Sequence, residues 1–337
     1  MIKELVKFFR KVTAPLFLVF VITESVFCLC PPAWAGQEKS LPSTPLLAKN
    51  QIAEEILRVK IGSGSDDLGV ITPPEANPEG PMSFIVAQTG EIYVLDQINS
   101  RIQVFKNRKR IKTIKIPDKV FSDLELLPKG MIALLDSAVK KGLTIIDETG
   151  KVINSISLVQ KEIPEPGAVV GVYYREKGSW PGLWVQMDSS SVLITDQLGK
   201  PASKFMKLPG FINYNGQRLL KVEIEDENLA VVSRSDESLK NWSDYKVVFK
   251  LSLGQIYGLW EDNEGRIYLA VNLFNENKEA NQVVVLDSSG KEIGRLALFV
   301  SSSPNEIYFP VRVTSSGLVY QLAIEEKEVV IRKYRLL

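Results

Sequence analysis

The chain contains no histidine among its 337 residues, and only two cysteines, Cys28 and Cys30. Without imidazole there is no Ser-His-Asp or Cys-His machinery and no histidine-ligated zinc, copper or haem site. Acid and base work therefore falls to Asp, Glu, Lys or Tyr. Net charge is also close to absent: the formal balance is +1, which supplies no overall field for nucleic acid or an anionic membrane. No stretch beyond the N-terminal segment shows helical periodicity.

Both cysteines lie in a segment with the pattern of an export leader. A basic start (Lys3, Lys7, Arg10, Lys11) is followed by an apolar run from Ala14 to Ile22 and by Ala33-Trp34-Ala35 before Gly36. That pattern predicts a secretory signal peptide cleaved after Ala35. Retention as an anchor is the rival reading, but the run is far short of the roughly 20 residues a spanning helix needs, and Glu24 interrupts it. Lipidation is disfavoured because Phe27 and Leu29 precede the two cysteines. The expected organisation is a signal peptide over 1–35, a polar, proline-containing linker over 36–53 and a folded domain over 54–337. The location implied is periplasmic or extracellular, with membrane contact only through an uncleaved N-terminus. The mature chain would form no disulfide, and about 300 residues are enough to bury a core unaided.

What the sequence does contain is short runs rich in Val, Ile, Leu and Tyr between clusters of Gly, Asn, Asp and Ser, the pattern of an all-β fold. The runs repeat. Gly90 to Asp96, Gly130 to Asp136 and Gly182 to Asp188 each begin with glycine, continue as an apolar strand and end in aspartate, and Gly265 to Val271 is a weaker copy. A second marker follows: Asp147 to Lys151, Asp196 to Lys200 and Asp287 to Lys291 all read Asp-x-x-Gly-Lys. Asp opens such a turn by accepting backbone N–H bonds, and Gly supplies the positive φ that closes it. With the first marker at Gly90, Gly130, Gly182, Asn228, Gly265 and Gly317, the repeats run to the roughly 40 to 50 residues of a four-stranded propeller blade. The fourth repeat is short by about one strand and shows no Asp-x-x-Gly turn between Tyr245 and Gln255, which keeps five and seven blades open beside six.

A single blade cannot bury both faces of its sheet, so blades stack around a channel and the ring has to close. The last repeat supplies three strands, around 309–314, 318–323 and 329–336. Residues 54–62 alternate Leu57, Val59 and Ile61 with Arg58 and Lys60 as a half-buried strand does. These patterns predict an all-β β-propeller of about six four-stranded blades, closed by an N-terminal strand pairing with the C-terminal blade.

Residues 80–105, GPMSFIVAQTGEIYVLDQINSRIQVF, resemble an NHL repeat, in which a glycine-bounded strand ending in Asp is followed by Asn-x-Arg-Ile-x-x-Phe, here Asn99, Arg101, Ile102 and Phe105. The resemblance implies a six-bladed propeller serving as a binding platform. The histidines expected in its lyase or lactonase members are missing.

Candidate ligand-binding residues are Asn99 and Arg101 in that motif, and two polar segments, 233–245 and 272–282, that carry Trp242, Asp244, Asn275 and Asn277. An aromatic with polar neighbours is suited to stacking on a sugar or a peptide. By analogy with propellers these segments are expected between the second and third strands of their blades, sharing one face. Asp96, Asp136 and Asp188 are read as turn caps in preference to a calcium ring. The basic stretch 106–119 is read as an outer hairpin with Ile111, Ile114 and Ile116 facing inward and lysines guarding the edge. Trp180 and Trp184 are expected in a blade core. Glu223, Glu225, Asp226 and Glu227 form an acidic patch that would suit glycan hydrolysis only if two carboxylates faced each other at a channel.

The resulting expectation is an exported, monomeric, non-catalytic propeller, with no cofactor and no metal, that binds a protein partner or a glycan at the cell envelope and does not bind nucleic acid. A carboxylate-dependent glycan hydrolase or lyase, and a scaffold within an envelope or secretion assembly, are the alternatives.

Overall fold

The computed structural model describes residues 51–337 apart from Leu198, Ser203, Lys204, residues 302–305 and Leu337. The expected signal peptide and all but the last residues of the expected linker lie outside the described residues.

Strand β1 (Gln51–Lys60) comes first, and six blades follow. Blade 1 is β2 (Ser83–Val86), β3 (Ile92–Asp96), β4 (Arg101–Lys106) and β5 (Lys109–Lys115). Blade 2 is β6 (Asp123–Leu126), β7 (Ile132–Asp136), β8 (Gly142–Ile146) and β9 (Val152–Ser157). Blade 3 is β10 (Gly171–Arg175), β11 (Gly182–Met187), β12 (Ser190–Thr195) and β13 (Lys207–Leu208). Blade 4 is β14 (Phe211–Ile212), β15 (Leu219–Asp226), β16 (Leu229–Ser235) and β17 (Trp242–Val248). Blade 5 is β18 (Ser252–Glu261), β19 (Ile267–Asn275), β20 (Lys278–Leu286) and β21 (Glu292–Leu298). Blade 6 is β22 (Val311–Val313), β23 (Val319–Ile324) and β24 (Glu328–Leu336), completed on its outer edge by β1.

The expected architecture is the one observed: a six-bladed all-β propeller of four-stranded blades, with first and last strands paired. β1 runs antiparallel to β24 from Gln51 opposite Leu336 to Lys60 opposite Glu328. It starts at Gln51, earlier than alternation placed it, because the Gln51 side chain also acts as a clasp. Its amide donates to the Ala297 carbonyl at 3.0 Å and accepts from the Ala297 N–H at 2.8 Å, joining blade 6 to the outer strand of blade 5.

Apolar side chains gather in the seams between blades. Leu134 and Leu95 meet between blades 1 and 2, Leu135 and Leu183 between blades 2 and 3, and Leu322 and Phe84 where blade 6 meets blade 1. Middle strands are covered on both faces, so β7 and β23 are buried along their whole length. Outer strands alternate, as in β9. This is why middle strands such as β7 and β23 read as near-continuous apolar runs in the sequence while the outer ones read as mixed.

One repeat marker needs correction. The glycine preceding the second strand of blade 4 is Gly216, which has positive φ like Gly90, Gly130, Gly182, Gly265 and Gly317. Asn228 instead precedes β16, the third strand, so the marker there was one strand late and the blade looked short. The missing hairpin is Asp236 to Leu239, where the Leu239 N–H donates to the Asp236 carbonyl at 3.2 Å. Leu239 occupies the glycine position with φ of 61°, which hid the turn from a search for Gly.

Antiparallel pairing fixes two faces. One, called here the turn face, carries the first-to-second and third-to-fourth turns of each blade. The other, the crossover face, carries the second-to-third turns and the blade-to-blade connections.

Candidate functional site

Asn99 and Arg101 are engaged in holding the connection from β1 into blade 1. Asp96, fully buried, accepts from the Gly69 N–H at 2.9 Å, from Asn99 Nδ2 at 2.9 Å and from Arg101 Nε at 2.8 Å. Arg101 Nη2 then donates to the carbonyls of Gly64 and Asp67, and Asn99 to that of Gly62. The motif that resembles an NHL repeat thus straps a loop to its own blade.

The four loop candidates do not share a face. Residues 236–241 join the third and fourth strands of blade 4, which places Trp242 and Asp244 toward the turn face. Asn275 closes the second strand of blade 5 and Asn277 lies in the hairpin to β20, on the crossover face. The alternation of hairpin ends keeps these pairs apart. The segment 272–282 is also largely strand: β19 and β20 pair out to Asn275 opposite Lys278, and Asn275 Oδ1 caps the two-residue turn by accepting the Asn277 N–H. Trp242 packs against the seam of blades 3 and 4, with Lys221 Nζ 4.2 Å above its ring, while Asp244 is exposed. Trp184 is fully buried and donates its indole N–H to the Trp180 carbonyl.

Of the aspartates at the second-strand ends, Asp136 caps its turn, while Asp96 holds the β1 connection described above. Asp136 accepts the N–H groups of Ala138, Val139 and Lys140, and Asp188 is exposed. In the basic hairpin Ile114 and Ile116 are buried, but Ile111 is 55% exposed. The pairing skips it, with Val104 opposite Lys112 and Phe105 opposite Arg110, so Ile111 is the extra residue of a bulge and turns outward. Ile153 in β9 and Ile293 in β21 are skipped at the same point of their blades, and both are exposed. The acidic patch lies on β15, the second strand of its blade, with Glu223, Glu225 and Asp226 in solvent.

The carboxylates that do line the channel are Asp123 and Glu125 on the inner strand β6. Asp123 is fully buried and ties four blades together. It accepts from Ser83 Oγ at 2.6 Å and from the Val172 N–H at 3.0 Å, and it forms a close ion pair with Arg312 Nη2. Arg312 also donates to the Phe84 carbonyl and stacks over Phe309, 4.6 Å from its centroid. On the opposite wall Arg175 donates to the carbonyls of Ile212 and Asn213 and lies over the rings of Tyr173 and Tyr214. Side chains cross the channel at its two ends. The Tyr214 hydroxyl reaches from blade 4 to the Val313 carbonyl of blade 6, and the Phe309 ring lies against Gly171 of blade 3, where a Cβ would come within 3.1 Å of it. These groups left a signal in the sequence: each arginine sits in a short, otherwise apolar strand, VYYR and VRV.

Glu125 is the group between these arms. Burial pushes its carboxyl up to about 7, against the pull of Arg312 and Arg175 and with a smaller push from Asp123. The folded protein therefore holds a proton that the unfolded chain releases near 4.5, so this contribution to stability is full below about 4.5 and is lost as pH rises through about 7. Glu125→Gln is expected to remove that slope, making the variant more stable than the parent at pH 8 by at most about 3 kcal/mol relative to pH 5. Urea unfolding of both proteins at the two pH values checks this, and parallel pH profiles would count against it. Near the turn face Glu261, also raised by burial, is held by Arg234 and Arg218 and by Asn213 Nδ2 at 3.3 Å.

A solved member of the DUF4221 family from Bacteroides vulgatus is similar to this chain at TM-score 0.51 and 14% identity, covering 85% of this chain and 98% of its own. The likeness is one of fold. Virginiamycin B lyase from Staphylococcus aureus superposes at TM-score 0.42 and 11% identity, covering 85% of this chain and 100% of its own. No protein-family model and no curated protein matches the sequence. The resemblance to NHL repeats therefore rests on residues 80–105 alone, while the six-bladed propeller stands on the structure.

Proposed function

We propose that this is an exported, non-catalytic propeller that binds a protein partner at the cell envelope through its crossover face. The observation that carries the reading is where apolar surface is left open. Val139, Val159, Val170, Ile224, Val248 and Phe274 are all more than 40% exposed and lie at second-to-third turns or blade-to-blade connections. Toward the turn face, among the described residues, Ile111, Val152, Ile153 and Ile293 stand out at the starts of outer strands. Apolar side chains spread over one face of several blades favour a protein partner over a glycan, which calls for an aromatic groove. Export draws on the leader-like pattern of residues 1–35. A scaffold role within an envelope assembly is a variant of the same reading.

Affinity capture from envelope extracts with residues 36–337 tests it. The expected result is a protein retained by the parent and by Ile293→Ser, and retained at least roughly tenfold less, about 1.4 kcal/mol, by Val139→Asp/Phe274→Asp. Equal retention by all three would overturn the assignment to this face.

A carboxylate-dependent glycan hydrolase or lyase is the second reading. It draws on Asp123 and Glu125, two carboxyls on one channel strand with one held near neutrality. Release of sugar ends by the parent and not by Glu125→Gln would establish it in place of binding.

A further inference from the structure

Blade 4 lacks most of its inner strand. β14 pairs only Phe211 with Leu220 and Ile212 with Leu219, while β15 continues to Asp226. The cause lies in the chain: only Pro209 and Gly210 separate β13 from β14, so no residues are available to run beside 221–226. β16 covers the outer side of β15 along this stretch, and Glu225 is skipped as the extra residue of a bulge, so the regular part of the edge runs over 221–224. Every second residue of an antiparallel strand turns both its N–H and its C=O to the same side. The groups of 221–226 that face inward therefore meet no backbone partner among the described residues.

The open edge lies on the crossover face, and its surroundings select an occupant. Glu223, Ile224, Glu225 and Asp226 are exposed, Ile224 by 50%, with Val248 beside the same turn and Phe274 on the next blade also in solvent. Beyond Lys221, whose ammonium lies over the Trp242 ring, the charge is of one sign: Glu223, Glu225, Asp226 and Glu227 follow closely, and among the described ion pairs only Glu225 has a partner, Lys246. A second copy of this chain would set these carboxylates against each other, a cross-strand arrangement that destabilises.

We propose that residues 221–226 form a strand-addition site for an extended, Lys- or Arg-bearing segment of a partner protein, which takes the place of the missing inner strand. Main-chain hydrogen bonds to β15 ahead of the Glu225 bulge supply the pairing, Ile224 supplies apolar contact, and the acidic side chains select basic residues. The inference rests on the protein-partner reading above and names the chemistry of that partner.

The test uses two synthetic probes, a nine-residue peptide of alternating Lys and Val and its Glu–Val counterpart, with fluorescence anisotropy and hydrogen–deuterium exchange on residues 36–337. The Lys–Val peptide is expected to bind, to slow exchange at 221–226 at least about tenfold, and to lose at least about tenfold in affinity to Glu223→Lys/Glu225→Lys, whose exposed positions leave the fold intact. Ile293→Ser is expected to bind as the parent does. Equal binding of the Glu–Val peptide, protection of another segment, or no binding by the Lys–Val peptide would overturn the proposal. So would a concentration-dependent dimer that protects 221–226, which would assign the edge to a second copy. Envelope capture that survives Glu223→Lys/Glu225→Lys but not Val139→Asp/Phe274→Asp would refute this edge and leave the wider reading standing.

Discussion

A protein lacking residues 51–60 is expected to show no cooperative unfolding transition and no near-ultraviolet circular dichroism. β1 places Leu57 and Val59, 1% and 6% exposed, into the seam of blades 6 and 1. Losing those two side chains alone forfeits roughly 3–6 kcal/mol. Val329 and Ile331 of β24 would be uncovered as well. The net stability of a domain is about 5–15 kcal/mol, so little or none would remain. An intact propeller tolerates a loop deletion, but an open one leaves an apolar blade face in water. A truncated protein that unfolds in urea with the parent's midpoint and slope would show that the ring does not depend on this strand.

Asp123→Ala is expected to lower stability by about 3–5 kcal/mol, the usual cost of leaving a buried charge without its partner. Arg312 would keep its positive charge in the channel, and the Ser83 hydroxyl and Val172 N–H would lose their acceptor. Asp123→Asn, which retains an acceptor oxygen of the same shape, is expected to lose less. Thermal and urea denaturation of the three proteins measure the order. An alanine variant as stable as the parent would mean that the bonds linking blades 6, 1, 2 and 3 contribute nothing net.

The ring was legible because its repeat is local. Glycines with positive φ mark the second strand of each blade, and aspartates mark the hairpins to the outer strands of blades 2 to 5. Blade 4 departs from the pattern because another residue does the same work: Leu239 takes a glycine conformation, and the glycine of its second strand is Gly216, with Asn228 one strand later. A bulge defeated simple alternation at Ile111, since one extra residue reverses the facing of what precedes it. The channel constellation could not be assembled from spacing at all. Arg312 and Asp123 lie 189 residues apart in sequence, and only the radial order of strands brings them together. The open edge of β15 was hidden for a related reason. The shortness of the link between β13 and β14 is plain in the sequence, but its consequence appears only once the neighbour that should be there is known.

The outward isoleucines of β5, β9 and β21 bear on how these rings can gather. Each interrupts the even spacing of hydrogen-bonding groups on the perimeter just where a strand from another molecule would have to lie. Rim-to-rim stacking into sheets or fibres is thereby discouraged at three of the blades.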